Sequence, residues 1–479
     1  MQSKRDQVQA HMFVMGRLTS GMLRGDPDAP ESPQGRTNRG IALGIVIAVL
    51  LSAGAFVFGL LKPGTTDSWK EAGTLVVDKG TGSRYLYLGG RLRPVRNYAS
   101  ARLLAGAEMK TAQVGSASLR NTPHGTPVGI AGAPDVLPAA GDLETGAWQV
   151  CSGSTTGSEA TTLAVGAAGG GQGLAAGQAL LVRGPDGADH LVWHGSKLRL
   201  DRGSGAAEAL GYASAPRLRV SAAFLNALPS GPGLEPPEVE GRGGKGPELG
   251  GRETRVGEVF RITVPGAAGR YHLLTEDGLA PLTATGAALV LGDPETRSKV
   301  YDGRSATASD LGADALAEHR APVTADDGGL PESPPEAVPL EDGQTLCARV
   351  QADASGTRVS VVLTSRGALG PAAQAPADGL TPACVRVGRI TVRPGGGALV
   401  HALGAGGGAV GGTVYLVTDT GMKYRVGSEK AAEALGYTVG QAEGLPAPLL
   451  AMLPTGPDLT PESAATGRAV TTAARCEPK

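Results

Sequence analysis

The pattern of apolar and polar residues changes sharply near residue 40. Ile41–Leu61 is a run of 21 residues without a charged side chain, and as a helix it would span about 31 Å, which is close to the apolar thickness of a bilayer. Because forty residues precede this run and it is longer than a signal-peptide core, it favours a transmembrane helix over a cleaved signal. We therefore expect a single membrane span at 41–61.

Basic residues before the span predict its orientation. Six of them lie there: Lys4, Arg5, Arg17, Arg24, Arg36 and Arg39. Since basic residues near a span are retained on the cytoplasmic side, we expect a cytoplasmic N-terminus and an exported segment at 62–479. The localisation implied is the cell membrane, with a periplasmic or extracellular C-terminal domain.

A second helix is predicted before the span. Ser3 and Asp6 have capping-box spacing, and Val8, Met12, Met15 and Met22 then recur on one helical face. The helix should run from about Lys4 to Leu23. Its apolar face would either lie on the inner leaflet or dock on a partner, and both interpretations stay open. Residues 26–40, rich in Pro and Gly, are expected to be a linker.

Beyond the span, two sequence matches reveal an internal repeat. Residues 206–212 and 431–437 are both AAEALGY, and LNALPSGP at 225–232 is echoed by LAMLPTGP at 450–457, at the same offset of 225 residues. Apolar runs at 180–183 and 414–418 precede turn residues in each copy. One repeat is thus predicted to be a β-hairpin followed by short helices. Weaker copies are expected at 85–95 and 271–291.

The predicted fold class is α+β: a single transmembrane helix and an exported domain of four degenerate hairpin-and-helix repeats around a central β-rich domain. The expected segments are 1–40 (cytoplasmic amphipathic helix and linker), 41–61 (span), 62–121 (repeat 1), 122–174 (central domain, first part), 175–240 (repeat 2), 241–254 (Gly/Pro linker), 255–330 (repeat 3), 331–409 (central domain, second part) and 410–479 (repeat 4 and tail).

Composition and charge narrow the function. With 75 Gly, 34 Pro and 4% aromatic residues, the cores must be built from Ala, Val and Leu around many turns. The net charge of −1 provides no general attraction for nucleic acid, so nucleic-acid binding is not expected.

The four cysteines all follow the span. An even number in an exported segment favours disulfide bonds, and Cys151, Cys347, Cys384 and Cys476 allow three pairings. We prefer Cys151–Cys347 with Cys384–Cys476, because Cys151 and Cys347 lie in strand-like runs that would join distant halves of one domain.

Enzymatic motifs are not evident in the sequence. The segment Gly241–Gly246 resembles a phosphate-binding loop, but it lacks the spaced first glycine and the Ser or Thr after Lys245. His190 and His194 are better interpreted as residues on the face of a strand than as metal ligands. We therefore expect no catalytic residues, no cofactor-binding or metal site, and no enzymatic activity.

The residues resemble a known family, EccB, the membrane subunit of actinobacterial type VII (ESX-type) secretion systems. The likeness is carried by RDQVQAH at 5–11, RGDP at 24–27, the early span and the repeats with LGY and LP-x-GP, and it covers essentially the whole chain. It implies an elongated exported part of four repeats around a central β domain. It also implies an oligomeric complex with an EccC-like ATPase, EccD-like and EccE-like membrane subunits and an associated mycosin protease.

Two function classes follow. The first is a structural core subunit that supports protein export across the cell envelope. The alternative is a cell-envelope module that binds peptidoglycan, or a weak ATPase, since ATPase activity has been attributed to that family. Co-purification with membrane partners would favour the first, and sedimentation with purified cell wall would favour the peptidoglycan alternative.

Overall fold

The computed structural model describes residues 3–26, 28, 33–61, 67–152, 161–167, 170–263, 269–322, 329–353, 356–373, 380–404, 407–473 and 476. The protein is mixed α+β and divides into two compact units, which are described in turn. Residues 27 and 29–32 of the expected linker at 26–40 lie outside the described residues.

The first unit contains the two long helices, α1 (Lys4–Arg24) and α2 (Pro33–Leu61), a 3-10 helix at Asp67–Lys70, and two later stretches at 77–82 and 113–122. A capping box between Ser3 and Asp6 starts α1, and Gly25 ends it with a left-handed φ of 70°. Helix α2 begins eight residues before the predicted span, inside the segment that the sequence assigned to a linker. Proline is well suited to a first helical turn, since its φ is already helical.

The remaining elements follow in chain order. They begin with β1 (Leu75–Asp78), β2 (Arg84–Leu88), β3 (Arg91–Pro94), α3 (Tyr98–Ala105), β4 (Thr111–Val114), α4 (Ser116–Leu119), a 3-10 helix at Ala140–Asp142, β5 (Trp148–Ser152), β6 (Thr161–Ala164) and β7 (Gln172–Gly173). Next come β8 (Gln178–Arg183), β9 (Asp189–Trp193), β10 (Ser196–Arg199), α5 (Ala206–Ala209), β11 (Leu218–Arg219) and α6 (Ala222–Asn226).

The second half of the chain continues with β12 (Val259–Ile262), β13 (Arg270–Thr275), β14 (Gly278–Leu282), α7 (Ala284–Gly292), α8 (Pro294–Lys299), β15 (Ser309–Leu311) and α9 (Ala313–His319). Then follow β16 (Glu336–Ala337), β17 (Gln344–Asp353), β18 (Gly356–Ser365), a 3-10 helix at Arg366–Leu369 and β19 (Arg389–Thr391). The last elements are β20 (Gly397–Leu403), β21 (Ala409–Thr418), β22 (Lys423–Val426), α10 (Glu429–Leu435), a 3-10 helix at Val439–Gln441, β23 (Glu443–Pro446), α11 (Ala447–Leu450) and α12 (Pro461–Thr466).

Four sheets of the described chain share one strand order. The orders are β3-β2-β1-β4, β10-β9-β8-β11, β14-β13-β12-β15 and β22-β21-β20-β23, and in the second of them β16 also pairs with β8. Three successive strands form an antiparallel meander, and the fourth returns parallel to the first, as β11 does to β8 and β23 to β20. A helix lies between the third and fourth strands each time, as a parallel connection requires.

A fifth, six-stranded sheet has the order β19-β6-β5-β17-β18-β7. Its centre is the antiparallel pair β5 and β17, in which Cys151 lies opposite Cys347. The largest buried cluster packs on this sheet and includes Phe224 of α6 and Leu449 of α11. Two short helices from distant parts of the chain therefore contribute to one core.

Helices of different sheets also pack in pairs. Helix α3 contacts α10 and α12, and α5 contacts α7. The Tyr212 and Tyr437 hydroxyls, each the last residue of an LGY motif, donate 2.7 Å hydrogen bonds to Pro335 O and Pro138 O. Each tyrosine thus fixes a distant segment of the chain.

The two apolar runs aligned for the repeat take different places in their sheets. Residues 180–183 lie in β8, the first strand of its sheet in chain order, and residues 414–418 lie in β21, the second strand of its own. The first strand of the latter sheet is β20, which lies within the range 331–409 that was expected to belong to the central domain. Three glycines, Gly395–Gly397, lie at its start, and glycine is depleted in strands, so the pattern did not indicate a strand there.

The expected Gly/Pro linker at 241–254 is an ordered loop. The Gly243 amide donates to Val256 O at 2.8 Å and the Gly246 amide to Thr254 O at 2.8 Å. Leu249, at its tip, is buried. This segment packs on its sheet rather than acting as a loose connection.

Candidate functional site

Helix α2 has the length and composition of a membrane span. The segment Thr37–Phe58 comprises 22 residues with a mean hydropathy of 2.7, and none of it is buried by the rest of the protein. An apolar helix that no protein surface covers is typical of a membrane-spanning segment. It overlaps the predicted span at 41–61.

The docking residues predicted on α1 are all exposed. Val8, Met12, Met15 and Met22 each present at least 52% of their surface. Four further apolar residues of α1 that the spacing did not single out are also exposed: Phe13, Val14, Leu18 and Leu23. The apolar surface of α1 is therefore wider than the single row that the spacing predicted.

Polar contacts hold the chain at the end of α1. Arg17 forms an ion pair with Asp28 and lies 5.8 Å from the centroid of the Phe13 ring. The Asp28 amide in turn donates to Asp26 Oδ1 at 3.0 Å. These contacts turn the chain after Gly25, and they leave the apolar side chains of α1 uncovered.

Two disulfide bonds lie in the segment that follows the span, Cys151–Cys347 and Cys384–Cys476. This is the pairing that the sequence analysis preferred. The first bond is buried and crosses the pair β5 and β17. Disulfides of this kind persist in oxidising compartments.

The loop around Lys245 places its ammonium group on the surface. Lys245 Nζ lies 3.3 Å from Glu253 Oε1, and both side chains are at least 80% exposed. An exposed pair of this kind is screened by water. The ammonium group of Lys245 therefore lies in solvent beside a carboxylate.

The two histidines of the DHLVWH segment differ in environment, contrary to the expectation that both lie on a strand face. His190 is buried in β9, whereas His194 has a φ of 46° in the turn to β10, where its ring stacks on Trp193. Gly195 also has a positive φ, of 79°. Two successive residues with positive φ form the tight turn of a hairpin, which the dipeptide His-Gly could have indicated.

The third strands of two sheets each carry a lysine that the sequence did not single out: the half-buried Lys197 in β10 and the buried Lys423 in β22. Lys197 Nζ donates to Leu225 O at 2.6 Å, and Lys423 Nζ donates to Leu453 O at 3.0 Å and also to Leu450 O. Burial lowers the pKa of Lys423 to about 8. Both ammonium groups bind carbonyls at the ends of α6 and α11, so their arrangement supports a structural role.

Comparison with known proteins assigns the family. A profile described as "Type VII secretion system ESX-1, transport TM domain B" matches residues 1–472. The ESX-3 secretion system ATPase EccB3 of Mycolicibacterium smegmatis is 29% identical over 95% of this chain and 89% of that protein. The ESX-1 secretion system ATPase EccB1 of Mycobacterium tuberculosis is 39% identical over 30% of this chain and 29% of its own length.

Two solved structures have the same fold. A chain of the intact ESX-5 inner membrane complex has a TM-score of 0.66 at 23% identity and covers 100% of this chain and 98% of its own. A chain of the EccB3 dimer from the ESX-3 core complex has a TM-score of 0.64 at 26% identity, covering 82% of this chain and 99% of its own.

The names of the relatives correct one expectation. They are called ATPases, so the prediction that the protein has no enzymatic activity is contradicted. The other findings agree with the resemblance: the profile matches nearly the full length, and the solved structures come from membrane complexes. This chain belongs to the EccB family of type VII secretion proteins.

Proposed function

We propose that this protein is a structural, membrane-anchored core subunit of a type VII secretion complex. The observation that carries the proposal is the profile match over residues 1–472, which takes in both long helices as well as the exported sheets. Solved relatives come from an inner membrane complex and a core complex, which supports assembly of this chain into an oligomeric machine.

In the proposed topology, α1 is cytoplasmic and the chain after α2 is exported. The basic residues before the span support this orientation. Both disulfides follow the span, which fits an oxidising compartment on that side.

The exported part is proposed to contain four copies of one repeat around the six-stranded sheet. The shared strand order supports this division. So do the equivalent contacts of Lys197 and Lys423, whose backbone amides donate to Pro229 O and Pro454 O, two carbonyls that are 225 residues apart. The fourth copy then begins near Gly397 rather than at 410.

Helix α1 is the proposed docking surface for the other membrane subunits, an EccC-like ATPase and EccD-like and EccE-like proteins, with a mycosin protease associated. The exposure of its apolar side chains supports this proposal. No part of the described chain buries Val8, Met12, Met15 or Met22. A helix of 21 residues cannot form a core of its own, so its apolar surface needs either a protein partner or lipid.

Charging this surface tests the proposal. Deleting residues 1–24, or combining Met12→Asp with Met15→Asp, should remove the chain from the complex. Burial of each methionine contributes about 1.5–3 kcal/mol, so partner recovery should fall at least about 100-fold. The matched control is Gln7→Asp with Gln9→Asp, which adds the same charge at polar positions of the helix. Normal co-purification of the methionine variant would refute docking and leave attachment to the membrane surface.

ATP hydrolysis is a second candidate function, favoured by the names of the relatives. Its test is whether hydrolysis follows the full-length protein through successive columns and scales with its concentration. Activity that separates from the protein would exclude this function without affecting the structural role.

A further inference from the structure

A cavity of about 810 Å³ opens in the exported part beside the sheet of β8 to β11. Three arginines line it: Arg183 at the end of β8, Arg219 in β11, and Arg386 in the segment that follows Cys384. The lining within the described chain contains no acidic residue. Its other polar side chains include Ser221 and Asn226, and Val220 and Ala223 provide apolar wall.

Two of these arginines are direct neighbours across the sheet. Strand β11 pairs in parallel with β8, and Arg219 lies opposite Arg183. Like charges on directly paired residues destabilise a sheet. The position therefore carries an electrostatic cost that an anion in the cavity would offset.

The charge of Arg183 is only partly balanced. Asp189 accepts two hydrogen bonds from Arg183, at 2.6 and 2.8 Å, and a third from Arg217 at 3.0 Å. The single negative charge of Asp189 is thus shared by Arg183 and Arg217, so the three groups together carry one net positive charge. The paired Arg183 guanidinium is also held in one orientation. Asp186 belongs to the adjoining turn, but its Oδ1 accepts from the Ala188 amide at 3.1 Å.

The third arginine, Arg386, lies in a segment whose backbone is held at two neighbouring residues. Cys384 is bonded to Cys476, and the Val385 amide donates to Ala451 O at 3.1 Å. These two anchors fix the backbone next to Arg386. The side chains of Arg219 and Arg386 are exposed and have no ion-pair partner among the described residues, so both guanidinium groups are available to a ligand.

We propose that this cavity binds a phosphate-bearing ligand. Guanidinium groups bind phosphate oxygens in bidentate fashion. Two unpaired arginines, with a third whose charge is only partly balanced, match a multiply charged group better than a single carboxylate. Two sources share this chemistry, a nucleotide and a phosphodiester polymer of the cell envelope. Binding at this cavity requires neither the structural role proposed above nor hydrolysis of a bound nucleotide.

Isothermal titration of the full-length protein in detergent with sodium pyrophosphate tests the site. The wild-type protein should bind, and Arg219→Gln combined with Arg386→Gln should weaken binding about 100-fold, at about tenfold for each guanidinium. The control combines Arg91→Gln with Arg199→Gln, which removes the same charge from exposed strand positions outside the cavity. This control should bind as the wild type does.

Competition assigns the source of the phosphate. Displacement of pyrophosphate by ATP at lower concentration than by a glycerol-phosphate oligomer indicates a nucleotide site, and the reverse order indicates an envelope polymer. Absence of pyrophosphate binding by the wild type, or equal weakening in both double variants, overturns the proposal.

A second measurement needs no variant. Pyrophosphate should protect Arg219 and Arg386, but not Arg91 and Arg199, from modification by phenylglyoxal in the wild-type protein. Equal modification of all four arginines with and without pyrophosphate would refute the site, even if the double variant does not fold.

Discussion

The contact between α5 and α7 depends on one glycine, and this makes a sharp test of the packing. A Cβ atom at Gly292, the last residue of α7, would lie 2.3 Å from Ala209 Cβ and 3.1 Å from Ala209 Cα. Carbon atoms in contact need about 3.5–4.0 Å, so the two helices would have to separate by about 1 Å. Overpacking of this kind costs about 1–3 kcal/mol, and the better helix propensity of alanine offsets at most about 1 kcal/mol.

We therefore expect Gly292→Ala to lower the free energy of unfolding by about 1–2 kcal/mol, measured by thermal and urea unfolding of the purified protein. The matched control is Gly440→Ala, where an added Cβ has no atom within 4 Å. Adding Ala209→Gly to the Gly292→Ala protein should restore stability, because it removes the Ala209 Cβ atom that the new methyl group would meet. This gain should exceed the loss of helix propensity that glycine causes in α5. A Gly292→Ala protein as stable as the Gly440→Ala protein would refute this account of the contact.

Two further predictions concern covalent and ionisable groups. Replacing both Cys151 and Cys347 by Ser should lower the free energy of unfolding in urea by about 4–5 kcal/mol, because the bond closes a chain separation of 196 residues; a loss below about 1 kcal/mol would contradict it. Burial lowers the pKa of His190 and His272 below the ordinary value of 6.5, so the unfolded chain takes up protons first and stability should fall as the pH drops below about 6.5. Tyrosine occupies the corresponding register positions in two other sheets, as Tyr85 and Tyr415. Combining His190→Tyr with His272→Tyr should therefore reduce the change in melting temperature between pH 7 and pH 5. If the melting temperature of this variant falls as steeply as that of the wild type, these histidines are not the cause.

The sequence predicted those features that depend on local pattern. The span is visible because a lipid-exposed helix must be apolar on every side, and the two AAEALGY segments are visible because they match residue for residue. The helix start at Pro33 was missed, since residues 33–40 are polar and contain glycine. The strand β20 was missed because three glycines, Gly395–Gly397, lie at its start, and glycine is depleted in strands.

The cavity could not be predicted because its residues come from separate parts of the chain. Arg183 and Arg219 meet only when β11 returns parallel to β8, and Arg386 is brought there by the Cys384–Cys476 bond. No spacing in the sequence indicates such a meeting. The ion pair of Arg183 with Asp189, six residues along the chain, is the one part that a hairpin prediction could have provided.

The pairing of β5 with β17 has a consequence for the order in which the chain folds. The residues between them, roughly 153–343, contain two complete sheets with their own helices, and these can form from contacts that are closer in sequence. The six-stranded sheet must wait for β17, which is synthesised almost two hundred residues after β5. Because non-local strand pairing is slow, β5 can pair early only with β6. Its other edge stays unpaired until β17 is made, which exposes this part of the nascent chain to misassociation.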